Sequence, residues 1–329
     1  MDNTSNTTQK DSTMRKGSPI VTLTTDWGDH QFFSGMVKGA LCSLIDEVRI
    51  IDITHHVEQF QARDAAFIVK RACLGFPPGT IHIIDVATEP PFVAVKACGQ
   101  YYLCCDNGLP QEVFGEDIEE VCRIPDEPKY SGTFAAYVVF PKVAAMLAGG
   151  ASLKEIGESY TLKQSLTLVN WCPVDPVEEG KGPDSYIVYI RFIDSYGNAY
   201  LGITEEEFER LRGDHEFFFD VRSAHVREKM ETYTDNPPTL DARRRFRLIA
   251  SPTGNMELAI SGASFVQLMG RRADERVLLK IKDTVSKKKT SQPLDGDPPQ
   301  NALNFAQGER SAILANAMQG QQASLTFNS

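Results

Sequence analysis

The sequence predicts an α/β domain built on a central, mostly parallel sheet, followed by a smaller all-β domain. Three observations predict it. Four short, β-branched apolar runs each end in or just past an aspartate: IVTLTTD at Asp26, VRIID at Asp52, TIHIID at Asp85 and YYLCCD at Asp106. The stretches between them carry apolar residues at three- and four-residue spacing, the pattern of helices that cover a sheet. After Ser185 that alternation gives way to strand-like runs separated by turn signals. Ligands of α/β sheets bind off the carboxyl ends of the strands, so four acids placed there point to a site, although any one of them also suits a capping role.

In chain order, residues 1–17 are polar and aperiodic and read as a disordered N-terminus. Residues 18–170 hold the α/β domain. Within it, residues 35–45 (GMVKGALCSLI) and 61–76 (QARDAAFIVKRACLGF) read as amphipathic helices. FPPGT at 76–80 is a stop followed by a turn, and FPKVAAMLAGG at 140–150 is an Ala-rich helix closed by glycine. Residues 171–184, with Pro173, Pro176 and the EEGKGPD stretch, read as a linker. The β-rich domain spans 185–285 through SYIVYIRFIDSYGNAYLGI, HEFFFDV, RRFRLIASPTGNMELAIS and VLLKIKD. Residues 286–329 lose periodicity and read as a mobile tail with a short helix around 310–318.

A chain of 329 residues has room for two cores. Its formal net charge of −10, with no basic cluster in the folded region, argues against a nucleic-acid surface and for small-molecule chemistry. The N-terminal stretch has no apolar core and so reads as neither signal peptide nor membrane anchor; the expectation is a cytoplasmic protein with no membrane partner. Seven cysteines lie mostly inside apolar segments without CxxC spacing and read as reduced core residues. A Walker loop, a GxGxxG after the first strand, a GxSxG elbow and an HExxH helix are all missing from the sequence. His55 and His56 are adjacent and, in an extended segment, cannot face one ion, so no metal is expected. What remains is the strand-end acids, the aromatics Trp27, Phe60, Tyr196 and Tyr200, and polar turns of the kind that hold a nucleoside.

Six segments then carry a resemblance: TTDWG with the downstream GMVKG, IIDITH running on to Phe60, PPGTIHIIDV, YYLCCDNG, Thr133 and Phe134 ahead of FPKVAAMLAGG, and IDSYGN. In this order, from about Ile20 to Val285, they resemble the S-adenosylmethionine hydroxide adenosyltransferase family, which is related to the bacterial fluorinase and chlorinase. The resemblance implies an α/β domain with a C-terminal barrel-like β domain, assembled as a homotrimer with S-adenosylmethionine at the subunit interfaces. The reaction it implies is displacement of methionine from the ribose 5′ carbon by water, giving adenosine and methionine without metal or other cofactor.

It also implies roles for individual residues. Asp26 would accept hydrogen bonds from the ribose hydroxyls, and Phe60 would pack against the ribose and shield the reacting carbon. Asp194 would bind the methionine ammonium, Asn198 the adenine edge, and Tyr196 and Tyr200 would supply stacking faces. Thr253 and Gly254 fall where the family holds the methionine carboxylate, and Tyr233 would line adenine. Read by themselves, residues 195–198 are a polar turn between two strands and Phe60 is a core phenylalanine.

Departures from the family pattern fall on the water site. The family positions its water with an Asp and Arg in a DPGVGTERR-like loop and a His in TFHGRD. Here the loop reads DVATEPPF: Asp85 is retained as the catalytic residue, the loop is shorter, and Pro90 or Pro91 stands in place of the Arg. The second motif reads TFAAYV after Thr133 and Phe134, with Ala135 for the His and Ala136 for the Gly. Arg63 and Glu89 are nearby polar residues able to compensate, and Thr88 matches a small polar residue near the halide position of the halogenases. Hydrolysis, a binding or sensing protein that has lost its chemistry, and a halide-using transferase therefore all stand as readings.

Overall fold

The computed structural model describes residues 17–125, 133–166, 168–174, 185–222, 224–233 and 246–282. The predicted disordered N-terminus, except Gly17, most of the predicted linker, and the predicted tail with its short helix lie outside the described residues.

The first domain runs β1 (Ile20–Thr25), α1 (Phe33–Leu44), β2 (Arg49–Thr54), α2 (Ala62–Ala72), β3 (Ile81–Asp85), β4 (Phe92–Ala97), β5 (Gln100–Cys105), α3 (Leu109–Phe114), β6 (Ile118–Arg123), α4 (Ala135–Val138), α5 (Phe140–Ala148), α6 (Leu153–Ile156) and β7 (Glu158–Ser159). Its seven strands lie in the order β2-β1-β3-β5-β4-β6-β7. The β2-β1-β3-β5 half is parallel, with Thr25 at the end of β1 level with Asp85 at the end of β3. The other half is antiparallel. The change of direction comes from a two-residue hairpin: Cys98 (φ 53°) and Gly99 (φ 70°) both occupy the left-handed region, the signature of the tight turn that matches strand twist. The sequence reading did not separate β4 from its neighbours, because the Cys-Gly pair is a weak turn signal and the flanking runs are both apolar.

Strand β1 is buried on both faces, which explains its unbroken β-branched sequence. Its polar atoms are partnered where they meet polar neighbours. Thr22 Oγ1 is 2.7 Å from His82 Nδ1, His82 Nε2 is 2.9 Å from Gln100 Oε1, and Tyr102 donates to the same oxygen at 2.7 Å. One apolar layer, with Leu41, Phe92 and Phe140, packs under α1 and α5; a second, with Val69, Val95 and Phe114, packs under α2 and α3.

The second domain runs β8 (Trp171–Pro173), β9 (Ser185–Ile193), β10 (Ala199–Thr204), α7 (Glu205–Arg212), β11 (Glu216–Val221), β12 (Ala224–Val226), β13 (Lys229–Met230), β14 (Phe246–Ala250), β15 (Asn255–Ile260), α8 (Phe265–Met269) and β16 (Arg276–Lys282). It is a single curled sheet in the order β12-β11-β16-β9-β10-β15-β14-β13, with β8 added alongside β9. The first residues of the predicted linker thus extend the sheet, Trp171 packing edge-on against Tyr186. Helix α7 was also absent from the sequence reading, although its start is legible: Thr204 accepts from the backbone N–H of Glu207, whose carboxylate returns to Thr204 N at 2.8 Å, a reciprocal cap.

Helix α2 joins the two sheets. Phe67 stacks on Phe192 at 5.1 Å and meets Tyr200 edge-on, while the Arg71 guanidinium lies 3.4 Å over the Phe67 ring and donates to Asn255 Oδ1. Beside it, Asp274 accepts from Arg191 at 2.7 Å and from Arg63 at 3.3 Å. Among the described residues no helix is long and apolar enough to cross a membrane.

Candidate active site

The four strand-end aspartates do not act alike. Asp26 and Asp85 converge at the ends of the adjacent strands β1 and β3, close enough for the charge of Asp26 to raise the Asp85 carboxyl. Asp52 lies one step away, bound to Lys38 at 2.5 Å and facing His55. Asp106 is turned elsewhere. It accepts from Tyr160 Oη at 3.1 Å and from the backbone N–H groups of Lys163 and Gln164, so it ties down the 160–164 segment and does not face Asp85. Of the four, Asp26 and Asp85 are the pair that come together.

Asp26 Oδ2 accepts the backbone N–H of Phe60 at 2.9 Å. That bond holds Phe60 in the left-handed region (φ 62°), a conformation a bulky side chain adopts only under constraint, and the residue is 76% exposed. The sequence-only alternative of a core phenylalanine is therefore excluded. Asp85 is buried, and burial pushes its carboxyl up to about 6; hydrogen bonding by Thr88 and Trp27 opposes this and the charge of Asp26 adds to it. A carboxylate so placed is ionised at neutral pH yet close to its protonation point, the condition for accepting a proton from a reacting water. Trp27 Nε1 donates to Asp85 Oδ2 at 2.9 Å.

Phe134 packs edge-on against Trp27 (5.4 Å) and Phe33 (5.3 Å), closing an aromatic wall beside Asp85. Thr133 precedes it at the surface, and Thr88 sits in the loop after Asp85 with its hydroxyl oxygen buried. Ala135 and Ala136 are buried in the first turn of α4. Arg63 does not turn toward Asp85: it is held by Asp274, so the sequence suggestion that it compensates for the absent Arg is corrected here. Glu89 is exposed.

The remaining predicted residues sit on the second sheet. Asp194 organises the β9–β10 turn: Oδ1 accepts from Tyr196 N (3.0 Å) and Asn198 N (2.8 Å), and Oδ2 accepts from Asn198 Nδ2 (3.0 Å). Gly197 (φ 80°) is required there, since a Cβ would come within 1.9 Å of Ser264 Oγ. The turn lifts Tyr196 out until it is 79% exposed, whereas Tyr200 is half-buried against Phe67 and Phe192. Thr253 donates to Ser251 Oγ at 3.0 Å in the turn before β15, whose Gly254 has φ 85°.

Sequence reasoning missed Glu257 and His55. Glu257 is fully buried, its carboxyl pushed up by desolvation while Tyr233 Oη donates to Oε1; Asp194 and Tyr200 lie close by. Its signal was a charged residue inside the apolar run NMELAI. In the sequence, His55 shows only as a candidate metal ligand. Two clusters result, Asp26, Phe60, Asp85, Thr88 and Phe134 on one sheet, and Asp194, Tyr196, Asn198, Tyr200 and Thr253 on the other.

Residues 21–157 match the family described as SAM hydroxide adenosyltransferase N-terminal domain, a span that begins in β1 and takes in every residue of the first cluster. Over that span the chain is similar to SAM hydroxide adenosyltransferase N-terminal domains. The (R)-S-adenosyl-L-methionine hydrolase of Methanocaldococcus jannaschii is 30% identical over 159 residues, covering 44% of this chain and 60% of that protein. That match therefore spans about three-fifths of the relative's length. The protein of the same name from Salinispora tropica is 26% identical over 274 residues, covering 79% of this chain and 97% of its own. In fold, the chain is similar to an uncharacterised conserved protein from Thermotoga maritima (TM-score 0.66, 24% identity, 79% of this chain and 99% of that one). It is also similar to a conserved hypothetical protein from Thermus thermophilus (TM-score 0.57, 20% identity, 80% and 100%). The matched span takes in the strand ends that carry Asp26 and Asp85, together with Pro90–Pro91 and Ala135.

Proposed function

We propose that the protein hydrolyses S-adenosylmethionine to adenosine and methionine. The observation that carries this reading is Asp85: a buried carboxylate poised near pH 6 at a strand end, with Asp26, which holds the Phe60 backbone, beside it. A water held by Asp85 attacks the ribose 5′ carbon in line with the sulfur. The O–C5′ bond forms as the C5′–S bond breaks, the sulfonium sulfur takes the bonding pair and leaves as the thioether of methionine, and the water proton passes to Asp85. Sulfur that is already cationic is a good leaving group, so placement and exclusion of bulk water supply most of the rate, and no metal or organic cofactor takes part.

On this reading Asp26 holds the ribose diol, Phe60 covers the reacting carbon, and Thr88, Thr133 and Phe134 shape the same pocket. Asp194, Tyr196, Asn198, Tyr200 and Thr253 bind the adenine and methionine ends from a neighbouring subunit, and the assembly is a homotrimer in the cytoplasm. The placement of the two clusters on separate sheets, each with an exposed aromatic, supports this arrangement. A second reading, a binding protein without turnover, is favoured by one feature: Ala135, buried and small, where the family pattern has its His.

Incubation of the pure protein with S-adenosylmethionine, followed by mass spectrometry, decides between them. Adenosine and methionine above a heat-killed control support hydrolysis; stoichiometric binding without product supports the second reading; a 5′-halogenated nucleoside in the presence of halide replaces both.

A further inference from the structure

The Asp85 carboxylate lacks the His and Arg that the family pattern would set beside it, yet it is not left to itself. Its Oδ2 receives the Trp27 indole N–H at 2.9 Å. The indole is in turn fixed on several sides. His55 stacks against it at 5.7 Å with the rings 13° from parallel, Phe134 meets it edge-on at 5.4 Å, and Phe33 does so at 6.3 Å. His55 cannot swing away, because Nδ1 is 2.7 Å from Thr25 Oγ1 and its carbonyl accepts from Gly28 N at 2.7 Å, closing the loop that carries Trp27. Its Nε2 is buried 3.3 Å from Asp52 Oδ1 without completing a hydrogen bond, and Asp52 is anchored by Lys38. A row of side chains therefore runs across the ends of β2, β1 and β3, from Lys38 through Asp52, His55 and Trp27 to Asp85.

We infer that Trp27, seated on His55, is a positioning residue for the reaction, orienting the Asp85 carboxylate in place of the absent His and Arg. The inference rests on the hydrolysis reading. Indole suits the task because it donates from one fixed direction and carries no titrating proton of its own. Oδ2 is held from that one direction, and Thr88 is a second hydrogen-bonding partner of the carboxylate. The groups that face Asp85 are Asp26 just past β1, Cys105 from β5, whose Sγ donates to Ala87 O at 3.4 Å, Thr88 from the following loop, and Trp27; His55 and Asp52 lie behind the indole. Of these, Trp27 and Thr88 favour the ionised carboxylate, so loss of the indole N–H moves the Asp85 protonation point upward.

Two arms test this. In a Trp171→Phe background, Trp27 is the sole tryptophan of the chain, and its emission reports the carboxyl it touches. Emission is expected to titrate with a midpoint near the value of about 6 for Asp85, and Asp85→Asn is expected to abolish that transition. In the second arm, Trp27→Phe keeps an aromatic ring on His55 but removes the donor. Turnover is expected to fall about tenfold through misorientation of the base, with KM changed less than twofold and the acid limb of the pH profile moved upward. A wild-type turnover that Trp27→Phe leaves unchanged in rate and pH profile overturns the inference, as does an emission that does not titrate or whose transition survives Asp85→Asn. Absence of product from wild type overturns the hydrolysis reading and the catalytic part of this one, while the emission arm still reports on the Trp27–Asp85 pair.

Discussion

Phe60 donates its backbone N–H to Asp26 Oδ2 at 2.9 Å, so the carboxylate assigned to the ribose also fixes the loop whose ring covers it. Removing that carboxylate costs both functions at once. Asp26→Ala should weaken S-adenosylmethionine or adenosine binding by about 1–3 kcal/mol, the scale of leaving buried hydrogen-bonding groups unpaired. Calorimetric titration measures it, and an affinity equal to wild type would remove Asp26 from the site.

The left-handed backbone of Phe60 separates stability from function. Phe60→Gly relieves a conformation that costs roughly 1 kcal/mol or more for a side chain with a Cβ, and the exposed ring contributes little to folding. Thermal unfolding should shift upward while turnover drops, because the reacting carbon loses its cover. Phe60→Ala keeps the strain and loses the ring, so it should show the activity loss without the thermal gain.

Activity should depend on Asp85 being ionised. Burial raises its carboxyl to about 6, and the carboxylate form is the one that accepts the water proton. kcat should therefore climb as pH rises through about 6 and level above it. Asp85→Asn should keep ligand affinity within a few-fold and abolish that dependence together with most of the turnover. A profile flat between pH 5 and 8 in wild type would argue against Asp85 as the base.

Stability has its own pH dependence through His82. This ring is fully buried between Thr22 and Gln100, and desolvation pushes its protonation down to about 4 from an ordinary 6.5. The unfolded chain takes up the proton first, so stability is complete above about 6.5 and is lost as pH falls toward 4. The span corresponds to about 3 kcal/mol. Chemical denaturation at pH 7 and pH 4.5 should show the difference, and His82→Gln should reduce it.

Much of this was legible in the sequence because the relevant signals are local. The run TIHIID ends where β3 ends, with Asp85 in place, and IDSYGN is a tight turn with its aspartate holding the backbone, since strand burial and turn chemistry are written in consecutive residues. Other parts were not legible. Asp106 carries the same local signal as Asp85, and only the path of residues 160–164 shows that its oxygens are taken. Trp27 and His55 are 28 positions apart in sequence and become one unit only through the pairing of β1 with β2. Arg63 lies close to Phe60 in the chain but points to Asp274, which is more than two hundred residues away. Strand-end position is a one-dimensional property, and partnership is a three-dimensional one.

The separation of the two clusters onto different sheets has a genetic consequence. In a trimer of the proposed kind, each active site takes its first half from one chain and its second half from the next. A subunit damaged at Asp26 and a subunit damaged at Asp194 are each inactive alone. Around a mixed ring of three, whichever the majority type, one junction always joins an undamaged first half to an undamaged second half. Two dead alleles expressed together should thus rescue one another, and the recovered activity would amount to one working site per mixed ring.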